Sequence, residues 1–251
     1  MKDKLFVASE NSPALDVYDT TYKCASLGRV PIAKMVNPFD LASCSLIERV
    51  FIIDCKLESK PNEIIRIDPS GTVDKRWPTG KDVGNLSVSS ESNIILSVYD
   101  KNKLIEYTCD GEKTREISLP SKVHPRHAIK LTNGHFLISH GFRNDILHQV
   151  SNITKNGDKL KLVKSFGEES GTSLQHLNEP SYLVVDEKGY ILVLDRGNTR
   201  ALLLDSNLNA IKEFLTKQIG LRSPDKICFC KATRCLFVVD SVNVLLIYNI
   251  K

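Results

Sequence analysis

Five of the six histidines in the chain fall in one short stretch, at His124, His127, His135, His140 and His148. Asn133-Gly134, among them, is the strongest short hairpin signal in the sequence. Read as a two-residue turn, it pairs Thr132 with His135, and counting outward pairs His127 with His140 on one sheet face, their Cβ atoms about 4.5–5.5 Å apart. Zinc accepts neutral imidazoles, but a stable site needs three or four ligands; His124 offers a third, and no carboxylate is close in sequence. The expectation is therefore a hydrogen-bonded pair, with no metal and no cofactor. Cys228, Cys230 and Cys235 form no CxxC pair and have no evident fourth ligand, so they read as packed thiols, as do Cys44 and Cys55. No nucleophile elbow, HExxH or Walker loop occurs, and Gly167-Glu168-Glu169-Ser170-Gly171 has neither the lysine nor the spacing to hold phosphates.

The elements that position these residues are strands. In 177–205, LNEPSYLVVDEKGYILVLDRGNTRALLLD, apolar runs rich in Val, Leu, Ile and Tyr alternate with short turns of Asp, Asn and Gly, which is the pattern of antiparallel hairpins. A fourth strand, 210–215, completes one sheet. The ends of comparable second strands fall at Ser9, Asp54, Asp100, His140, Asp195 and Asp240, a recurrence of roughly 40–55 residues that marks a repeat architecture. Six units follow, at about 4–30, 38–78, 84–120, 126–166, 180–216 and 224–251. Helical periodicity is essentially absent; 210–220 and 41–47 could be argued as helix, but strand fits the repeat better.

Pro180, Asp186, Gly189, Asp195, Asn198 and Arg200 stand where the NHL repeat, a β-propeller blade unit, carries its pattern, and the stretch resembles that family. LFVASENSPALDVYD (5–19), YDKNKLIEYTCDGEKTREISLP (99–120), PRHAIKLTNGHFLISHG (125–141) and VKSFG (163–167) resemble invertebrate NHL-repeat proteins related to the propellers of tripartite-motif ubiquitin ligases. The resemblance implies an all-β, six-bladed NHL-type propeller over 1–251 as a single domain. The first unit lacks an inner strand and the last an outer one, so the terminal blades are either three-stranded or completed by chain beyond this sequence; the second is favoured. His127 and His140 would line the channel. Propeller hydrolases and lyases hold a central cation at the starts of the inner strands, here Pro38/Phe39, Gly84/Asn85, Arg126/His127, Ser181/Tyr182 and Pro224/Asp225. Only Asp225 is acidic, so a metal-dependent propeller enzyme is a second alternative and the chain is expected not to be an enzyme.

The connections at one propeller mouth carry more bases than acids. Lys34, Lys56, Lys60, Lys81, Lys217 and Arg200 belong to them, against Glu10, Glu58, Asp82, Asp145, Glu168, Glu169 and Glu179. Lys101, Lys103, Lys122, Arg126, Arg143, Tyr182, Arg196 and Arg222 are the candidate partner-binding residues. A basic rim attracts an acidic peptide or RNA phosphates. RNA readers add aromatic platforms, and Phe142 and Tyr182 are sparse for that, with Trp77 at the end of an outer strand. The expected function is recognition of a protein partner, as the substrate-selecting part of a ubiquitin ligase, with RNA binding the alternative. Neither paired CxxC arrays nor heptads are present, so ligase activity is not assigned to the chain.

The 251 residues carry a formal charge of +4, too small to imply nucleic acid by itself. Seven cysteines without a framework spacing fit reduced thiols. Without a secretory signal or a long apolar run, the expected location is the cytoplasm, away from membranes.

Overall fold

The computed structural model describes residues 4–21, 24–56, 60–82, 84–156, 159–216, 220–230, 232–240 and 245–249. One local rule shapes most of its hairpins. Asp186 Oδ1 accepts the N–H of Lys188 at 2.9 Å and of Tyr190 at 2.8 Å, and Gly189 takes the left-handed conformation at φ 82°. Asp68 and Asp205 do the same with the second and fourth residues after them, and Thr108 and Ser89 do so through hydroxyls. A short acceptor at the start of the loop thus closes a three-residue connection that would otherwise leave two N–H groups unpaired. Asp186→Ala is expected to lower unfolding stability by about 1–2 kcal/mol in urea titrations. Asp186→Asn, which keeps the acceptor, should restore most of the loss; equal losses in the two variants would refute the rule.

The strands form separate antiparallel sheets. Three-stranded sheets stand at the two ends of the chain: β1 (Lys4–Ala8), β2 (Ala14–Asp19), β3 (Ser26–Pro31), and β20 (Pro224–Cys230), β21 (Cys235–Asp240), β22 (Leu245–Asn249). Four-stranded sheets lie between them in sequence. They are β4 (Pro38–Cys44), β5 (Arg49–Asp54), β6 (Asn62–Ile67), β7 (Val73–Gly80); β8 (Gly84–Val88), β9 (Ile94–Val98), β10 (Lys103–Tyr107), β11 (Lys113–Ser118); β12 (Pro125–Lys130), β13 (Phe136–His140), β14 (Gln149–Asn156), β15 (Lys159–Phe166); and β16 (Pro180–Val185), β17 (Ile191–Asp195), β18 (Arg200–Leu204), β19 (Ala210–Leu215). Such up-and-down sheets are propeller blades, and the chain is an all-β β-propeller. The expectation of six blades is corrected to five: among the described residues the 22 strands make four four-stranded sheets and two three-stranded ones at the ends of the chain, short of six complete blades.

The chain divides into two compact units, Met1–Val98 with Leu104–Ile117, and Tyr99–Lys103 with Ser118–Lys251. In the first, Phe51, Ile53, Ile64, Leu86 and Leu96 pack with Trp77 and Tyr107, so Trp77 is a core residue inside β7 and not the free end of a strand. In the second, Leu183, Val193 and Leu202 form one core with Leu137 and Val150, and Leu194, Ile227 and Val238 form another.

Four of the sheets share a feature at the start of the inner strand. Pro38, Pro125, Pro180 and Pro224 pair with Asp54, His140, Asp195 and Asp240, and the residue after each proline is bulged out of register. Those residues are Phe39, Arg126, Ser181 and Asp225. The aspartates bind the backbone just ahead of the proline: Asp54 accepts from Asn37 N at 2.7 Å, Asp195 from Asn178 N at 2.6 Å, and Asp240 from Arg222 N at 2.7 Å. Only β12–β13 has a histidine in that place. β8 starts on Gly84 without a bulge.

Candidate functional site

His127 and His140 do not face each other. The loop at Asn133-Gly134 has three residues, Leu131 N–H bonding His135 O at 2.8 Å with Gly134 at φ 81°, so the hairpin register is one residue from that of a two-residue turn. His127 therefore stands opposite Ser139, and the bulge at Arg126 puts Pro125 opposite His140. A one-residue slip sends alternate side chains to the other face, which separates the expected pair. His127 stacks on Tyr182 with ring centroids 3.7 Å apart, and its Nδ1 accepts the Leu183 N–H at 3.2 Å. His140 is buried, and its Nε2 lies 2.8 Å from Ser151 Oγ. Among the described residues no group of three His, Cys, Asp or Glu could hold a metal ion.

All eight predicted partner-binding residues belong to the second unit, but the structure gathers only three of them around one ring. The guanidinium carbons of Arg126, Arg143 and Arg196 lie 4.5, 4.8 and 5.9 Å from the centroid of Phe142. Each is within reach of a cation–π attraction. Arg126 comes from the bulge of β12, Phe142 and Arg143 from the loop after β13, and Arg196 from the turn after β17. Burial pulls the Arg126 guanidinium below its usual value, Asp225 opposes this, and the nearby Arg196 adds to the lowering. Crowded like charges of this kind favour an anion.

Two acids, which sequence reasoning left out of the site, hold this cluster in shape. Glu179 accepts from Arg196 Nη1 at 2.8 Å and from Arg143 N at 3.2 Å. Asp145 accepts from Phe142 N at 2.8 Å and from the Tyr99 hydroxyl at 3.3 Å, and lies 3.3 Å from His124 Nδ1. The expectation that no carboxylate serves these histidines is thus corrected, because the loop carries Asp145 back onto His124. Burial, and after it the Asp145 charge, push the Tyr99 phenol up.

His148 links the two acids. Its Nδ1 accepts the Glu179 N–H at 2.8 Å, which leaves Nε2 to donate to Asp145 O at 3.1 Å. Gly141, at φ 107°, lets the chain leave β13 closely enough for this; a Cβ there would meet Leu147 O at 2.4 Å. The signal in the sequence was a gap in a pattern: His140 occupies the place that Asp fills at 54, 195 and 240.

The remaining candidates are dispersed. Tyr182 is buried between His127 and Lys226, whose Nζ is 5.2 Å from its ring, so it presents no open aromatic face. Arg222 is exposed but fixed through its backbone to Asp240 and Thr199. Lys101 and Lys122 are exposed and Lys103 half-buried. Of the wider rim, Lys56 pairs with Asp54 and Glu63, and Arg200 with Asp195 and Glu213; Lys217 and Glu58 lie outside the described residues.

No family model matches the chain, and no curated protein matches it. Solved structures do. A protein of unknown function from Bacteroides caccae is 12% identical, with a TM-score of 0.69 over 98% of this chain and 90% of its own. Kuenenia stuttgartiensis hydrazine synthase is 13% identical, with a TM-score of 0.67 over 99% and 92%. Virginiamycin B lyase from Staphylococcus aureus is 14% identical, with a TM-score of 0.63 over 100% and 82%. At these identities the likeness establishes the β-propeller fold, while the NHL resemblance finds no support from a family model. The expectation that the chain is not an enzyme is withdrawn on this finding, because the lyase and the synthase are enzymes built on the same fold. No helix among the described residues is long and apolar enough to cross a membrane.

Proposed function

We propose that this chain is an NHL-type recognition propeller of the cytoplasm that holds an acidic segment of a protein partner on Arg126, Arg143 and Arg196. The observation that carries the reading is the Phe142 ring with three guanidiniums around it, that of Arg196 braced by Glu179, which also accepts the Arg143 backbone N–H. Guanidiniums so placed bind carboxylates through paired N–H groups, and the Phe142 ring adds apolar contact. In keeping with the family that the sequence resembles, the partner would be the substrate of a ubiquitin ligase of which this propeller is one part.

A fluorescently labelled Glu-rich peptide, titrated with the protein, tests the reading by anisotropy. Arg126→Ala combined with Arg196→Ala is expected to weaken binding about 30-fold, since truncating one side of a desolvated charge pair removes about 2 kcal/mol or more. Unchanged affinity in a variant with an unchanged melting temperature would end the proposal. RNA is the competing reading, favoured by the same guanidiniums. A single-stranded oligonucleotide that binds more tightly than the peptide and is released steeply by salt would replace the protein partner with RNA.

A further inference from the structure

An open cleft of about 430 Å³ lies in the second unit, between the loop ahead of β16, the turn after β17 and the strand β19. Thr172, Asn178, Asn198, Thr199, Arg200 and Glu213 line it, and among the described residues no aromatic or purely aliphatic side chain does. Gly197 lets two of its walls approach closely. The Asn178 carboxamide lies so near that a Cβ on Gly197 would meet its Cγ at 2.5 Å, its Nδ2 at 2.7 Å and its Oδ1 at 2.8 Å.

The hydrogen bonds already made decide what the cleft has left to offer. Arg200 commits all five of its N–H groups, to Asp195, to Glu213 and to the carbonyls of Thr172, Ser173 and His176. Asn198 Nδ2 uses both hydrogens, on Gly171 O at 2.7 Å and Asp195 Oδ2 at 2.8 Å, which leaves its Oδ1 as an acceptor. Thr199 Oγ1 donates to Arg222 O at 3.1 Å and keeps only lone pairs. Glu213 gives Oε1 to Arg200, while its Oε2 and the Asn178 carboxamide have no partner among the described residues. The remainder is rich in acceptors and holds one unshared carboxylate oxygen.

That inventory selects the guest. An anion would be repelled by Glu213 and would find no free donor on Arg200. Calcium takes about six or more oxygens, several of them usually from carboxylates, and Glu213 is the one acid lining the cleft. A primary ammonium has three N–H donors and no acceptor, which matches three free oxygens. We propose that the cleft holds a primary ammonium on an alkyl stem, which donates to Glu213 Oε2 and to the carboxamide oxygens of Asn178 and Asn198. The ammonium comes from a lysine side chain of a protein partner or from a free alkylamine. The site uses none of Arg126, Arg143 and Arg196, so it and the acidic-segment reading can fail separately.

Proton–nitrogen correlation spectra test this through the Asn178 side-chain amide signal, identified by its loss in Asn178→Ala. Nα-acetyl-lysine methylamide is expected to shift that signal saturably, and the same compound acetylated at Nε is not, because it lacks the charge. Glu213→Gln, which keeps an acceptor for Arg200, should weaken the lysine response by about tenfold at an unchanged melting temperature. If that variant fails to fold, Thr172→Val, which removes a hydroxyl without a partner from the same wall, should weaken it by about threefold. Equal shifts with both compounds, or a lysine response untouched by whichever variant folds, would overturn the site. n-Butylammonium chloride distinguishes the sources: binding as tight as that of the capped lysine supports a free amine, and weaker binding supports a peptide lysine. Glu-rich peptide binding without any lysine response removes the cleft and leaves the recognition reading intact. Saturable lysine binding without Glu-rich peptide binding does the reverse.

Discussion

Replacing Arg200 by alanine is expected to destabilise the protein by about 3–5 kcal/mol, the scale for removing one side of a buried ion pair. Asp195 is fully buried and Arg200 only 4% exposed, and Arg200 Nε donates to Asp195 Oδ2 at 2.6 Å. The same guanidinium holds three carbonyls of the preceding loop, Thr172 O at 3.0 Å, Ser173 O at 2.7 Å and His176 O at 2.8 Å. Burial already pushes the Asp195 carboxyl up, against the hydrogen bonds from Asn178, Asn198 and Arg200 that hold it down. Alanine leaves that carboxylate with Asn178 N and Asn198 Nδ2 alone and releases the loop carbonyls. Urea unfolding should report the loss, and limited proteolysis should find a new cut within 170–178. Combining Arg200→Met with Asp195→Asn should recover part of the stability, because the unpaired charge is then gone. A loss below about 1 kcal/mol for Arg200→Ala would mean that the clamp is not a buried pair in solution.

Acid should destabilise the protein through His140. Burial holds this imidazole at about 4, well under the 6.5 of a free histidine; Asp145 pulls it upward, and His124 and His148 add to the lowering. Between those values the unfolded chain binds a proton that the folded chain refuses, so stability falls as pH drops from 6.5 toward 4 and levels off below. Above 6.5 both states are neutral and the group adds no pH dependence. The shift corresponds to about 3 kcal/mol at the acid end of the window. Urea unfolding across that window should show the slope, and His140→Gln, which can still reach Ser151, should flatten it. An identical slope in the glutamine variant would assign the effect to other groups.

Much of the blade structure was legible in the sequence. The runs of 177–205 became β16, β17 and β18 because alternating apolar residues and an Asp-x-x-Gly turn admit few other arrangements, and the segments argued as helix, 210–220 and 41–47, contribute to strands β19 and β4. Register was harder. Side chains alternate every residue, so a loop of three in place of two and a bulge at Arg126 were enough to part His127 from His140. The braces of the arginine cluster were hidden for another reason: Glu179 meets His148 through a backbone N–H from 31 residues away, a contact that no side-chain motif announces. The expectation about enzymology failed because absent motifs say little on a fold that also serves as the frame of enzymes.

The kink after each leading proline separates two duties that sequence change would otherwise couple. The proline and its Asp or His partner fix the backbone, while the displaced residue takes no rung in the ladder, and so Phe39, Arg126, Ser181 and Asp225 differ in charge and size without disturbing the frame around them. New ligand preference can therefore arise by exchanging a single residue on each of these four sheets, leaving the scaffold as it is.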